Sequence, residues 1–195
     1  MKLRFPKPLD PGDTVAVTSP SGGVPPALKP RLEFAVETVR SRGFEVLIGE
    51  CMDGNGATSA PARERARELQ DFLLDPEIRA VIPPWGGELA IDLIPCLDWQ
   101  ALAEAEPTWV IGYSDISTLL LPLTLNAGVA TVHGNNLLDT PFAVPEGLVG
   151  WMDVVSLPRG ASFTQDAPDK YREGYVLYET FPEVAEFELT EEAYW

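Results

Sequence analysis

Short apolar runs alternate along this chain with longer stretches whose apolar positions recur every three or four residues. The short runs fall at 14–18, 44–49, 79–83, 109–111 and 129–132. Each is bounded by Gly, Pro, Asn or Asp, and each predicts a strand, the run 109–111 a buried one. Between them, residues 26–42 place Leu28, Leu32, Ala35, Val36 and Val39 at helical spacing, with Gly43 as C-cap. Residues 61–74 do the same with Ala62, Ala66, Leu69, Phe72 and Leu73. The other side of that helix carries Arg63, Glu64, Arg65, Arg67 and Glu68, which predicts a solvated face with i, i+4 pairs. Residues 88–97 and 116–126 read as further helices. In the second of these, Pro122 belongs in the first turns or at a kink. Strand and helix in alternation predict an α/β fold: a doubly wound, mostly parallel sheet with right-handed crossovers.

In a parallel sheet every loop that follows a strand lies on one edge. Four such loops, 19–23, 85–88, 113–115 and 133–136, are therefore expected to face one pocket. The central one is the most distinctive. The apolar run 109–111 meets a sharp corner at Gly112 and Tyr113, and Ser114 sits at the tip, just before a helix. This is the logic of a nucleophile elbow, although that motif wants glycine where this chain has Ile116. The serine is equally readable as a turn residue or N-cap. Loop 85–88 contains Gly86 and Gly87, whose backbone N–H groups are able to come close to a ligand oxygen. On paper the N–H groups of Gly87 and Asp115 form an oxyanion hole. The Asp115 side chain is expected to accept N–H bonds at its helix start. Glu88 reads either as an N-terminal helix carboxylate or as a partner for a substrate amine. His133, the only histidine, is placed on the same edge and reads as a general base or as a packed or capping residue. Loop 19–23 is not a Walker motif, because no Gly-Lys-Ser/Thr follows. One histidine and scattered carboxylates give no metal-ligand spacing, so neither metal nor cofactor is expected.

Bulk properties narrow the choice. The chain has 195 residues, 45% of them apolar, with nineteen prolines and sixteen glycines, which suits one domain, or one plus part of another, rich in turns. A formal net charge of −16 argues against nucleic acid and against an anionic membrane surface as partners. Cys51 and Cys96 belong to no C-x-x-C pair and read as free thiols of a reduced, cytoplasmic protein. The first residues lack the apolar core of a signal peptide, and no stretch approaches the ~18 apolar residues of a membrane span. The expected organisation is an α/β nucleophile-bearing domain over 1–156 and an acidic connector over 157–195. Nine acids from Asp166 onward stand there against Lys170 and Arg172, and 175–178 is the stretch able to pair as a strand. The connector is expected to lead toward a C-terminal domain.

Several stretches resemble the serine carboxypeptidase family that contains the LD-carboxypeptidases of murein recycling and the microcin C immunity peptidases. They are 14–23, 63–99, 109–118 and 131–134, in the family's order and spacing. The resemblance implies a flavodoxin-like fold, similar to the class I glutamine amidotransferases. It implies Ser114 as nucleophile, Gly87 and Asp115 as backbone oxyanion donors, and Trp85, Gly86, Glu88 and Tyr113 at the substrate. The family's catalytic glutamate and histidine lie in a C-terminal domain, so His133 is not assigned to the triad. Glu88-Leu89-Ala90 replaces the Gly-Tyr-Gly typical of LD-carboxypeptidases and is closer to the microcin-immunity branch. Asn135 stands where the family has proline. The resemblance implies hydrolysis of an amide near a free carboxylate or acidic aminoacyl group. A small peptide or aminoacyl-nucleotide is the implied substrate, a homodimer the implied full-length assembly, and Trp195 a residue that stacks on a nucleobase.

Overall fold

The structure, a computed structural model, describes residues 2–54 and 58–194. Five strands form one parallel sheet: β1 (Thr14–Val17), β2 (Glu45–Ile48), β3 (Ile78–Val81), β4 (Trp109–Gly112) and β5 (Val132–His133). Their order is β2-β1-β3-β4-β5, the flavodoxin-like arrangement. The helices are α1 (Lys29–Ser41), α2 (Ala62–Leu74), α3 (Trp99–Glu104), α4 (Ser117–Pro122) and α5 (Trp151–Val155). No helix among the described residues is long and apolar enough to cross a membrane.

Successive strand residues face opposite sides of a sheet, and the core divides accordingly. Val15, Val17, Ala80, Ile82 and Ile111 pack with Ala35, Val36 and Val39 of α1 and with Trp151 and Val155 of α5. Ala16, Ile78, Val81 and Val110 pack with Ala66, Leu69 and Leu73 of α2, Leu102 of α3, and Leu119 and Leu120 of α4. Burying one such leucine or valine contributes about 2 kcal/mol. Apolar layers on both faces explain why β4 is buried at every position. They also show why its sequence is continuous rather than alternating.

Several elements differ from the expectation. Residues 88–97 do not form an α-helix. They hold a 3₁₀ helix, Ala90–Cys96, because Pro95 lies inside it and the Ala90 N–H is taken by the Asp115 carboxylate. Residues 116–126 are likewise mixed. A 3₁₀ turn, Ser114–Ile116, runs into α4, and a π-turn, Leu123–Ala127, follows and ends at left-handed Gly128. Pro122 closes α4 rather than opening it. The widening begins directly after this ring, which has no N–H to donate and crowds the preceding turn.

The polar face of α2 is solvated at Arg63, Glu64 and Arg67 but not throughout. Arg65 is fully buried, and the Glu68 carboxylate accepts from Thr18 Oγ1 and from the N–H groups of Glu50 and Cys51. Residues 175–178 do not pair as a strand. The connector's two-stranded pairing is β6 (Lys170–Tyr171) with β7 (Glu191–Glu192).

Both cysteines are free, Cys51 buried and Cys96 exposed. Burial, reinforced by the charges of Glu68 and Glu64, pushes the Cys51 thiol up to about 11. Iodoacetamide at pH 8 is therefore expected to modify Cys96 and to spare Cys51 until the chain is unfolded, because only thiolate reacts. Mass spectrometry of the native and denatured adducts reads this out. Equal modification of both thiols in the native protein would contradict it.

Candidate active site

The corner after β4 is unusual in its backbone. Ser114 has φ 61°, the only non-glycine residue with positive φ among those described. This left-handed conformation costs of order 1 kcal/mol and persists only where neighbours impose it. Upstream, the Tyr113 N–H donates to Asn136 Oδ1 at 3.2 Å. Downstream, Thr118 Oγ1 donates to the Asp115 carbonyl at 2.7 Å. The serine is exposed, and its hydroxyl makes no hydrogen bond to any described residue.

The loop after β3 packs directly against this corner. A Cβ placed on Gly86 would lie 3.0 Å from both Cβ and Oγ of Ser114, and 3.3 Å from the Asp115 nitrogen. Any larger residue at position 86 would crowd this contact. At Gly87, φ is 152° and a Cβ would sit 2.6 Å from the Gly22 nitrogen. The loop after β1 completes the contact, since the Gly22 N–H donates to the Gly86 carbonyl and Trp85 Nε1–H donates to the Gly22 carbonyl. Among the described residues, neither the Gly87 nor the Asp115 backbone N–H has a hydrogen-bond acceptor. A free hydroxyl beside free backbone donors suits attack on a carbonyl carbon, with the resulting oxyanion held by N–H groups.

Asp115 does not cap its own turn. Its Oδ2 accepts from Ser21 Oγ at 2.5 Å and from the Ala90 N–H at 2.8 Å. Beneath these loops lies Arg65, donating to the carbonyls of Ala60, Pro20 and Leu89 at 2.8, 2.5 and 3.1 Å. Burial draws its pKa below the usual arginine range, while the charges of Asp92 and Asp115 act the other way.

The corner opens on a cleft of about 620 Å³. Gly22, Trp85, Gly86, Gly87, Glu88, Tyr113 and Ser114 line it, so the loops expected to converge do so. His133 does not join them. It is exposed and faces a separate hollow beside Arg42 and Trp151, and Asn136 represents the β5 loop in the cleft. Trp195 lies outside the described residues.

The remaining wall was not foreseen: Leu138, Asp139, Tyr175, Val176 and Tyr178. Asp139 accepts from the hydroxyls of both Tyr113, at 3.0 Å, and Tyr178. Burial, then the Asp139 charge, pushes both phenols well above the usual tyrosine range. Arg31, fully buried, holds the wall in place. It stacks 4.4 Å from the Tyr178 ring centroid and donates to the carbonyls of Leu138, Pro182 and Val184. The sequence signal for this wall was the Tyr-x-x-Tyr spacing at 175–178, which the strand reading absorbed. Among the described residues the cleft lining includes no Lys, Arg or His. No group of three His, Cys, Asp or Glu side chains is placed to hold a metal ion there or elsewhere in the described residues.

Comparison with known proteins agrees with this geometry. Residues 15–134 match the family described as the LD-carboxypeptidase N-terminal domain. A Vibrio cholerae protein that bears a carboxypeptidase name is 33% identical over 158 residues, which cover 78% of this chain and 47% of the relative. The microcin C7 self-immunity protein MccF of Escherichia coli is 28% identical over 172 residues, covering 84% of this chain and 49% of that protein. The chain thus spans about half the length of the curated relatives it matches. A solved structure of MccF, in complex with aspartyl sulfamoyl adenosine, superposes with a TM-score of 0.82 at 23% identity. It covers 96% of this chain and 57% of that one. This last likeness establishes the fold.

Proposed function

The chain belongs to the LD-carboxypeptidase family through its N-terminal domain, and from that premise we propose that it is the nucleophile-bearing part of a serine peptidase. Its substrate in this reading is an amide near a free carboxylate or an acidic aminoacyl group. The observation that carries the reading is Ser114 itself, a left-handed, unpartnered hydroxyl at the floor of the cleft.

Ser114 Oγ attacks the amide carbonyl carbon and gives its proton to a general base. The oxyanion that forms accepts from the N–H groups of Gly87 and Asp115, each such donor being worth on the order of 10²–10³ in rate. The C–N bond then breaks, the amine leaves with a proton, and water releases the acyl group from the serine ester. Trp85, Gly86, Glu88 and Tyr113 hold the substrate. No base among the described residues hydrogen-bonds Ser114 Oγ. In this reading a C-terminal domain supplies it, with residues 1–156 as the nucleophile domain and 157–195 as the connector. The same domain meets the substrate carboxylate, for which the cleft lining offers no cation. That lack of a partnered base favours one alternative, a catalytically incomplete homologue that binds a peptide or nucleotide in the same cleft.

A fluorophosphonate probe separates the two. The full-length protein is expected to be labelled on Ser114, and Ser114→Ala to be silent. Labelling that survives in Ser114→Ala, or none in the intact protein, favours the binding module. Gly86→Ala tests the geometry. The added Cβ would press on Ser114 Cβ and Oγ at 3.0 Å, so the corner has to give by a few tenths of an ångström, which is expected to lower kcat/KM by up to about tenfold while leaving the cooperative unfolding transition in place.

A further inference from the structure

We propose that the Asp115 carboxylate is a positioning residue that holds Ser114 and its neighbouring N–H in working geometry; the proposal rests on Ser114 being the nucleophile. An aspartate at the start of a helix ordinarily folds back and caps its own N–H groups. Asp115 caps none. Its Oδ2 instead receives the hydroxyl of Ser21 at 2.5 Å and the N–H of Ala90 at 2.8 Å. Ser21 is fully buried and belongs to the loop after β1, while Ala90 follows the Gly86-Gly87 loop after β3. One carboxylate oxygen therefore ties the crests of three strands, β1, β3 and β4, around the serine.

The bond network has two consequences. First, it opposes relaxation of Ser114 from φ 61°, because turning the corner back would drag Oδ2 from both donors. Second, it gives the carboxylate two hydrogen-bond donors of its own. An unpaired carboxylate next to the nucleophile would repel the oxyanion as it forms. With its charge shared between two donors, the carboxylate is not left unpaired beside the forming oxyanion. Ser21 thus acts through Asp115, and Asp115 acts through Ser114.

The test compares Ser21→Ala, Asp115→Ala and Asp115→Asn in the full-length protein. Asn keeps an oxygen that is able to accept both bonds. The rate of fluorophosphonate labelling at Ser114 is expected to fall about tenfold in Ser21→Ala, the loss of one charge-assisted hydrogen bond. It is expected to fall about 10²-fold in Asp115→Ala, where both bonds go, and to stay within about threefold of wild type in Asp115→Asn. On an aminoacyl amide the loss appears in kcat and not in KM. An Asp115→Ala protein labelled as fast as wild type, or an Asp115→Asn protein as slow as Asp115→Ala, overturns the proposal. Amide NMR of the same proteins does not depend on the chemistry. The Ser114, Asp115 and Ala90 resonances are expected to move together in the conservatively altered Ser21→Ala. Unmoved resonances in Ser21→Ala sink the clamp, whereas an unlabelled wild type with moving resonances sinks only the nucleophile assignment.

Discussion

Ser114→Ala is expected to lower amide hydrolysis by the full-length protein by on the order of 10⁶-fold, the loss seen when a serine nucleophile is removed. Its stability should barely change, since the hydroxyl makes no hydrogen bond to any described residue. Ser114→Gly is the sharper variant. It removes the same hydroxyl and also the side chain that makes φ 61° costly. Activity is lost to the same extent, but the glycine protein is expected to be more stable than the alanine protein by about 1 kcal/mol. That corresponds to roughly 2–4 °C in Tm for a chain of this size. A glycine variant that melts no higher than the alanine variant would show that the corner is not under backbone strain. The pairing separates two properties of one residue, chemistry in the hydroxyl and conformational cost in the backbone.

Arg65→Ala is expected to be the most damaging change away from the serine, costing roughly 3–5 kcal/mol in urea unfolding. The guanidinium is buried and donates to the carbonyls of Ala60, Pro20 and Leu89. Removing it strips three carbonyls of their donor and leaves a cavity among them. Because Pro20 precedes Ser21, and Leu89 precedes Ala90, the loss spreads to the Asp115 carboxylate and the serine corner. Arg65→Lys should recover little, since a single ammonium does not reproduce a planar fork aimed at three carbonyls. A lysine variant with wild-type stability would mean that charge alone, and not the fork, is what the site needs.

The contrast between Arg65 and Ser114 shows how far the chain could be read. The five strands, the two long helices and the common edge of the crest loops follow from patterns local to the sequence: β-branched runs, apolar residues at helical spacing, glycine at corners. Those patterns survive because burial of one face is decided by neighbours within a few positions. Arg31 and Arg65 defeat the same reasoning. Charged residues are ordinarily exposed, and what buries these two is a set of carbonyls at positions 138, 182 and 184, or 20, 60 and 89, that nothing near them in sequence announces. His133 fails in the opposite direction. Its strand ends on the right edge, but β5 is the outer strand and the side chain faces a different hollow.

The sequence by itself determined the α/β sheet, the serine corner and the glycine pair that faces it, because each depends on backbone conformations and apolar periods that a short stretch encodes. Only the tertiary structure decided that Tyr113, Asp139 and Tyr178 share one hydrogen-bonded wall, that two arginines lie inside, and that Asp115 spends its carboxylate on Ser21 and Ala90 rather than on its own turn. Those features are hydrogen bonds between segments far apart in the chain. A donor's identity is written in sequence, while its acceptor is chosen by how the layers pack.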